Sequence, residues 1–366
     1  MKKVYISGLL LTGLILSIPE GFADGIMRGD GPAPEPKPFH INKADPALDD
    51  IVAPNAKLEL MADGFGLNEG PVWVRNGKSG YLLVSSLLDN AIYKITPEKE
   101  VSVFMEYAGY SGDLPENAGT QTRSGRAHVL LIGPTCTSTD AQGRLVWCAA
   151  QDFAVKRLEK DGTITILADS YEGKHFSGPN DLAIKSDGAI FFTDNDFGLR
   201  GAGNSPLKEI PNAVWLIKDS KVTRVLQRVT LGGTPNGIAL SPDEKYLYLS
   251  ADTKLMRYEV RPDDTLGGGV LFSEGEGIGD GIKVDKRGNV YSTSGAGPGI
   301  IRIVAPSGKF LGSLILPIIG KEPKKQICAT NLAFGDSDGK ALYITACDAV
   351  YKIRLKTEGI VPGPAN

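Results

Sequence analysis

A hairpin motif that recurs six times constrains this 366-residue chain more than any other feature. The clearest copy, SGPNDLAIKSDGAIFFTD at residues 177–194, has a polar opening, an apolar run, a Ser-Asp-Gly turn and a second apolar run. Aligned on Asn180, the other copies open at Glu69, Thr135, Asn236, Asp280 and Asn331. Short apolar runs joined by turn residues are typical of antiparallel hairpins. The motif therefore predicts one such hairpin in each repeat.

Glycine within the copies indicates how each hairpin turns. Eight residues after the opening residue stand Gly77, Gly143, Gly188, Gly288 and Gly339, and only the Asn236 copy differs, with Glu244. Glycine accepts a positive φ at little cost, as a tight hairpin turn requires. The opening residues are 66, 45, 56, 44 and 51 residues apart, and no long stretch has a helical apolar period. This spacing predicts an all-β fold, a six-bladed β-propeller with one blade per repeat.

The propeller geometry brings the opening residues together. The first strand of each blade runs beside the central channel, so its opening residue lies at one mouth of that channel. The six side chains comprise two carboxylates, three carboxamides and one hydroxyl. Such a ring of oxygens suits a hard divalent cation such as Ca²⁺. The alternative is that Asn-Gly and Asp-Gly pairs are ordinary turn residues.

The residues before the first repeat divide into two segments. Residues 1–23 read as a signal peptide, with Lys2-Lys3, an apolar run over 4–18 and small residues that predict cleavage after Ala23. We therefore expect a periplasmic or secreted protein; an uncleaved anchor is the alternative. Residues 24–50 are rich in proline and are interpreted as an extended arm that acts as a spacer.

The propeller domain is expected over residues 51–358, followed by a tail at 359–366. Residues 57–61 alternate as a strand and should complete the last blade beside 350–355, which would remove an open edge. Four cysteines form two local pairs, Cys136 with Cys148 and Cys328 with Cys347. In an oxidising compartment these pairs would form disulfides, and four buried free thiols are the alternative.

Composition excludes several classes of function. The net charge of −3 provides no basic surface for nucleic acid, and no membrane contact is expected after signal cleavage. The chain lacks HExxH, GxSxG and P-loop motifs. Two long polar insertions, 107–128 and 195–212, should lie on the same face as the opening residues, where loops often carry function. His175 and Asp181 flank Asn180 and are candidates for substrate contact, with a surface-loop histidine and a turn cap as the alternatives. The oligomeric state is left open.

The motifs resemble those of the SMP-30/gluconolactonase/luciferin-regenerating-enzyme family. The similar phrases are EGPVW at 69–73, YEGKHFSGPNDLAIKSDGAIFFTD at 171–194, PNGIALSPDEKYLY at 235–248, GDGIKVDKRGNVY at 279–291 and TNLAFGDSDGKALYIT at 330–345. The resemblance implies a six-bladed propeller that hydrolyses lactones, or organophosphates in some branches, with one divalent metal at the channel mouth. It implies Glu69, Asn180, Asn236 and Asp280 as metal ligands, and Asp280 as the general base.

One phrase departs from the family pattern. The second repeat reads TCTSTD where related bacterial proteins commonly read NGLTLD, so Thr135 replaces an asparagine on the substrate side of the ring. Thr135 and Asn331 join His175 and Asp181 as candidate substrate-binding residues.

The resulting hypothesis is a lactonase that depends on one divalent metal, Ca²⁺ first, with Zn²⁺, Mg²⁺ or Mn²⁺ as alternatives. A sugar-acid lactone such as D-glucono-1,5-lactone is the expected small-molecule substrate. A non-catalytic binding propeller with structural Ca²⁺ and a phosphotriesterase-type hydrolase are the other interpretations.

Overall fold

The computed structural model describes residues 35–77, 79–112, 118, 120–123, 126–227, 229–230, 232–295, 299–318 and 328–364. The predicted signal peptide, its cleavage site and arm residues 24–34 lie outside these ranges. No helix within them is long and apolar enough to span a bilayer.

Strands dominate the fold, with three short 3₁₀ helices at Pro46–Asp50, Ala150–Asp152 and Ala202–Asn204. The strands in chain order are β1 (His40–Lys43), β2 (Leu58–Asn76), β3 (Ser79–Ser86), β4 (Ala91–Ile95), β5 (Val101–Glu106), β6 (Thr120–Arg123), β7 (Arg126–Leu130), β8 (Cys136–Thr139), β9 (Leu145–Ala149), β10 (Ala154–Leu158), β11 (Ile164–Ala168), β12 (Ser170–Tyr171), β13 (Lys174–His175), β14 (Pro179–Ile184), β15 (Ile190–Asp194), β16 (Ala213–Lys218), β17 (Lys221–Leu226), β18 (Pro235–Leu240), β19 (Tyr246–Ala251), β20 (Lys254–Glu259), β21 (Val270–Glu274), β22 (Ile282–Val284), β23 (Val290–Thr293), β24 (Ile300–Val304), β25 (Phe310–Ile315), β26 (Asn331–Gly335) and β27 (Ala341–Arg354).

These strands form a propeller-like set of antiparallel sheets, as the sequence predicted. Three sheets have four strands each, β8–β11, β14–β17 and β18–β21. A fourth contains β22–β25 with β1 at its outer edge, and a fifth has six strands in the order β26-β27-β2-β3-β4-β5. The first strands β2, β8, β14, β18, β22 and β26 each contact the next, and β26 contacts β2, so they close a ring.

The six-stranded sheet joins the two ends of the chain. The first half of β27 pairs with β26, and its second half pairs with the start of β2, where Leu58 lies opposite Ile353. The second half of β2 instead pairs with β3. The predicted closing strand is therefore confirmed, and it covers an edge that would otherwise expose unpaired backbone groups.

Side chains between neighbouring sheets form the core. First and second strands are buried on both faces, as in β9, β15 and β26, where every residue is buried. The outermost strand β11 instead alternates exposed and covered residues. A sheet packed between two others needs apolar side chains on both faces, which accounts for the continuous apolar runs of the repeats.

The turns at the far end of the first hairpins have the predicted conformation. All five glycines found eight residues after an opening residue have positive φ, between 60° and 91°. Glu244 adopts the same left-handed conformation with φ of 57°. Its carboxylate accepts hydrogen bonds from the backbone and hydroxyl of Ser186 in the neighbouring sheet, which offsets the strain.

The arm differs from the prediction of a free spacer. β1 pairs with β25, with His40 opposite Ile315, and adds a fifth strand to its sheet. Leu48, Ile51 and Val52 are almost fully buried in the adjacent core cluster. The alternation of apolar side chains in this short segment was too brief to separate an edge strand from an extended linker.

The C-terminal residues are also part of the fold. Gly359 pairs with Asp285 and donates to the Gly339 carbonyl, and Arg75 donates to the carbonyls of Pro362 and Pro364. The predicted tail therefore crosses several sheets at the end where their first hairpins turn. Both predicted cysteine pairs form disulfides, Cys136–Cys148 between β8 and β9 and Cys328–Cys347.

Candidate functional site

The six opening residues lie at one end of the ring of first strands, here called the ring end; the hairpin turns define the opposite, turn end. Glu69, Asn180, Asn236 and Asp280 are each half-buried. Thr135 and Asn331 are 9% and 2% exposed. The four predicted metal ligands thus retain contact with solvent, whereas the other two are enclosed.

Serine and threonine hydroxyls join each repeat to a neighbouring one at the ring end. Each donates to a backbone carbonyl at or beside an opening residue of a neighbouring strand. The bonds are Thr137 to Gly70, Thr135 to Pro179 (2.8 Å), Thr193 to Asn236 (2.7 Å), Ser250 to Asp280 (2.7 Å), Thr293 to Thr330 (2.7 Å) and Thr330 to Asn68 (2.8 Å). This continuous set of bonds fixes the backbone that carries the opening side chains.

The glycines that follow three opening residues allow the strands to approach closely. A Cβ on Gly70 would lie 2.4 Å from Cys136 Cα, and one on Gly237 would lie 2.2 Å from the Asp280 carbonyl oxygen. A Cβ on Gly281 would lie 2.2 Å from Asn331 Cγ. The Glu-Gly, Asn-Gly and Asp-Gly pairs are therefore required by packing around the channel, not by a turn.

Carboxylates are concentrated at the ring end. Burial, followed by the negative charge of Asp280 and then that of Asp181, raises the pKa of Glu69 well above its usual range. The Gly70 N–H, which donates to Glu69 Oε2 at 2.8 Å, opposes this shift. Asp280 lies against Gly295, whose added Cβ would be 2.2 Å from Asp280 Oδ2. A nearby cation would oppose the repulsion that Asp280 and Asp181 exert on Glu69.

Asp181 and Asn331 form the buried layer beneath these carboxylates. Asp181 accepts the N–H groups of Leu182 (2.9 Å) and Ile238 (3.3 Å), so it ties β14 to β18. Burial raises its pKa, and the charge of Lys283 is the main opposing influence. The side chain of Asn331 acts to lower the pKa of both Glu69 and Asp181. Both residues support the ring from below.

Lys283 is the residue that the sequence did not single out. Its ammonium donates to Asn331 Oδ1 at 3.1 Å and to the Ile282 carbonyl at 3.0 Å. A lysine three residues after Asp280 in the strand Ile282–Val284 was the available signal, since the corresponding positions of the other repeats carry no charge.

Two candidate substrate-binding residues have other partners. Thr135 donates its hydroxyl to Pro179, the residue before Asn180, and so positions the next strand. The His175 ring stacks on Phe153 at 4.3 Å, and its Nδ1 lies 2.6 Å from the Phe176 carbonyl oxygen. Glu209 accepts the His175 backbone N–H at 2.8 Å. None of these partners of His175 is an opening residue, and its role in substrate binding stays a prediction.

The two long insertions meet on one face. An isolated bridge pairs Ala118 with Leu199, and Asn195 donates to the Pro235 carbonyl beside Asn236 at 2.9 Å. A cavity of about 470 Å³ borders the second insertion and is lined by Pro211, Asn212, Ala213, Val214, Leu226, Gln227, Val229, Gly233 and Pro235. This lining contains no acid or base.

The donor set fits a hard cation. Two carboxylates and two carboxamides, half-exposed at the ring end, offer the oxygen ligands that Ca²⁺ prefers. Among the described residues, no three or more His, Cys, Asp or Glu side chains are grouped to hold a metal. A site at the ring end therefore depends on the amide oxygens of Asn180 and Asn236, unlike a typical zinc site.

The fold and this site define a propeller-like β-protein with a ring of acids and amides at one channel mouth. A family model described as the SMP-30/gluconolactonase/LRE-like region matches residues 67–348. The chain belongs to this family.

Individual relatives agree with this assignment. The chain is 32% identical to a gluconolactonase of Zymomonas mobilis, and the match covers 87% of each chain. It is 24% identical to regucalcin of Xenopus laevis over 84% of this chain and 97% of that protein. A solved structure of a Xanthomonas campestris gluconolactonase superposes with a TM-score of 0.68 at 26% identity, covering 90% of this chain and 98% of the other.

Proposed function

We propose that this protein is a metal-dependent lactone hydrolase. The similarity to a gluconolactonase at 32% identity over 87% of both chains supports the reaction class. The surroundings of Glu69, where burial and the negative charges of Asp280 and Asp181 disfavour its charged state, are the observation that supports a cation site. D-glucono-1,5-lactone is the first substrate to test.

Six blades are the inferred architecture. The six-stranded sheet counts as two blades, one containing β26, β27 and the start of β2, and the other containing the end of β2 with β3, β4 and β5. The serine and threonine hydroxyl bonds support this count, because they link six successive repeats around the ring. Each blade then supplies one opening residue.

Glu69, Asn180, Asn236 and Asp280 would hold the metal, Ca²⁺ first among the candidates. When bound, such an ion would polarise the lactone carbonyl and stabilise the negative charge that develops on its oxygen. Asp280 takes the proton from the attacking water. The Asp280 carboxylate packs directly against the backbone of Gly295, where a side chain would have no space. This contact fixes the orientation of the carboxylate.

The supporting residues hold these groups in place. The Gly70 N–H and the Asn331 amide orient Glu69, and the Thr135 hydroxyl holds the Pro179 carbonyl just before Asn180. Positioning of this kind matters because small displacements of reacting groups reduce rates strongly. We also propose that the mature chain acts in the periplasm or outside the cell, on the basis of its N-terminal sequence.

Acid release from D-glucono-1,5-lactone tests the proposal. The mature protein would be assayed as purified, after chelation, and after Ca²⁺ or Zn²⁺ is restored, with spontaneous hydrolysis subtracted. We expect Asp280→Asn to lower kcat by about 10²–10⁴. Turnover that survives both chelation and Asp280→Asn would contradict the mechanism. If the protein binds metal but hydrolyses no member of a panel of lactones and phosphoesters, a non-catalytic binding protein would be favoured.

A further inference from the structure

We infer that Lys283 is a positioning residue of the ring, and that its ammonium fixes the Asn331 amide so that the amide nitrogen faces the carboxylates of Glu69 and Asp181. This inference rests on the proposed metal site and adds a residue that is not itself a ligand. It assigns a function to a lysine beside the channel that the motifs do not predict.

The hydrogen bonds of Asn331 define the orientation of its amide. Its Oδ1 accepts from Lys283 Nζ at 3.1 Å and from the Leu332 N–H at 2.8 Å. A carboxamide oxygen has two lone pairs, so these donors saturate it. The NH₂ group therefore points to the opposite side, toward Glu69 and Asp181, and the Asn331 side chain acts to lower the pKa of both carboxyls. The reversed amide would place its oxygen against two carboxylates and its nitrogen against an ammonium.

Packing holds both partners in this arrangement. Asn331 is 2% exposed, and its Cγ lies where any side chain at position 281 would begin. The Asn331 N–H donates to Thr345 Oγ1 at 2.9 Å, which anchors the backbone. Lys283 has a second acceptor in the Ile282 carbonyl at 3.0 Å, so its ammonium stays beside the amide. The path from Lys283 to Glu69 thus contains a single side chain.

Whether removal of the Lys283 ammonium weakens or tightens Ca²⁺ binding distinguishes a positioning role from a purely electrostatic one. A cation near a Ca²⁺ site repels the ion, so its removal by itself would tighten binding. Removal would also leave the Asp181 carboxylate without its opposing charge and make the ring end more attractive to a cation. If Lys283 acts through Asn331, its removal instead releases the amide, Glu69 loses a donor, and Ca²⁺ binds more weakly.

Calorimetric Ca²⁺ titration of the mature protein provides the test. The variants are Lys283→Met, Asn331→Leu, the double variant and Lys283→Arg. We expect Lys283→Met to weaken Ca²⁺ binding about tenfold, in the range found for residues that orient metal ligands. Asn331→Leu should weaken it similarly, and the double variant should show no further loss. Lys283→Arg, which keeps charge and donors, should remain within about threefold of the wild type.

Lys352→Met is the matched control. Lys352, in β27, is also largely buried, with a side chain that is 16% exposed. Its Nζ lies 2.8 Å from Asp336 Oδ2. Its removal tests a general loss of stability and should leave the Ca²⁺ Kd unchanged. If Lys283→Met does not fold, Lys283→Gln replaces it in the same cycle.

Three results would overturn the inference while the proposed function stands: unchanged Ca²⁺ affinity in Lys283→Met, tighter binding, or losses that add in the double variant. A folded wild-type protein that binds no Ca²⁺, Zn²⁺, Mg²⁺ or Mn²⁺ would instead overturn the metal site itself, and this inference with it.

Discussion

Acidic side chains at the two ends of the channel have opposite surroundings. At the turn end, burial of Asp187 is outweighed by the Ala189 N–H and the ammonium groups of Lys218 and Lys185, so its pKa falls to about 2. Asp338 also has a lowered pKa, first because Arg354 donates to it. At the ring end, burial raises the pKa of both Glu69 and Asp181.

The difference shows which acids serve the fold. Turn-end carboxylates receive backbone N–H groups and cations, so their charge contributes to folding stability. Ring-end carboxylates are desolvated and repel each other, so their charge opposes folding, and the proposed cation would offset this effect. Substitutions at the two ends should therefore differ in their response to pH and to metal.

The largest effect is expected at the buried turn-end acid Asp264. It is fully buried and bonds Lys185 and Lys218, both at 2.5 Å. Asp264→Ala removes the buried acceptor of these ammonium groups and leaves them only the more exposed Asp187, and we expect a loss of about 3–5 kcal/mol in unfolding free energy. Urea unfolding measures this loss. A change in Ca²⁺ affinity comparable to that of a ring variant would contradict the separation of the two ends.

Asp194 should reveal the pH response of the ring end. It is fully buried, and its oxygens accept the N–H groups of Ser177 (3.1 Å) and Gly178 (2.7 Å). Burial raises its pKa to about 7. The folded state therefore holds a proton that the unfolded chain releases near pH 4, and this contribution to stability is lost as pH rises from about 4 to 7.

Asp194→Asn should remove this pH-dependent part of the unfolding free energy, which amounts to at most about 1.4 kcal/mol per pH unit. Unfolding free energies from pH 4 to 8 would be compared with those of the wild type at each pH. A difference between the two proteins that does not change with pH would contradict the buried, protonated state of Asp194.

Thr135→Val tests the hydroxyl bonds around the ring. The substitution keeps the shape of the side chain but removes the donor to the Pro179 carbonyl. We expect a loss of about 1–2 kcal/mol in unfolding free energy, because a buried carbonyl is left unpaired. Thr135→Ser keeps the hydroxyl and should lower the unfolding free energy by less than Thr135→Val does. No loss in Thr135→Val, together with a loss in Thr135→Ser, would indicate that the methyl group, not the hydrogen bond, matters.

Asp187→Asn should have the smallest effect. The pKa of Asp187 in the folded protein, about 2, lies below that of an aspartate in the unfolded chain. The ionised carboxylate therefore contributes to folding stability above pH 4, and this contribution is lost as pH falls through about 2. The side chain is 42% exposed, and solvent screening limits the loss at pH 7 to less than about 1 kcal/mol. Thermal unfolding at pH 7 and pH 2.5 would show whether the difference disappears in acid.

Much of the architecture was accessible from the sequence because each repeat carries its own turn and apolar pattern. The hairpins, the closing strand near Leu58 and both cysteine pairs followed from spacing. The edge strand His40–Lys43 and the C-terminal crossing did not, because neither belongs to a repeat and both depend on contacts with distant residues.

The candidate site was predictable to a similar degree. The opening residues form a ring because their position in the repeat fixes their position in space. Lys283 was missed because one lysine in an apolar strand resembles a surface residue, and only its contact with Asn331 gives it a role. Contact between Thr135 and substrate stays a prediction, and the bond from its hydroxyl to the Pro179 carbonyl was missed because that carbonyl lies in another repeat and leaves no trace in the sequence.

Thermal unfolding of Glu69→Gln, with and without Ca²⁺ at pH 8, tests the central claim most directly. Without Ca²⁺ the variant should be at least as stable as the wild type, because it removes a charge that burial and Asp280 disfavour. With saturating Ca²⁺ the wild type should become the more stable protein, since only its ring retains both carboxylates. An equal rise in unfolding temperature for both proteins, or no rise in either, would contradict a cation site at the ring end.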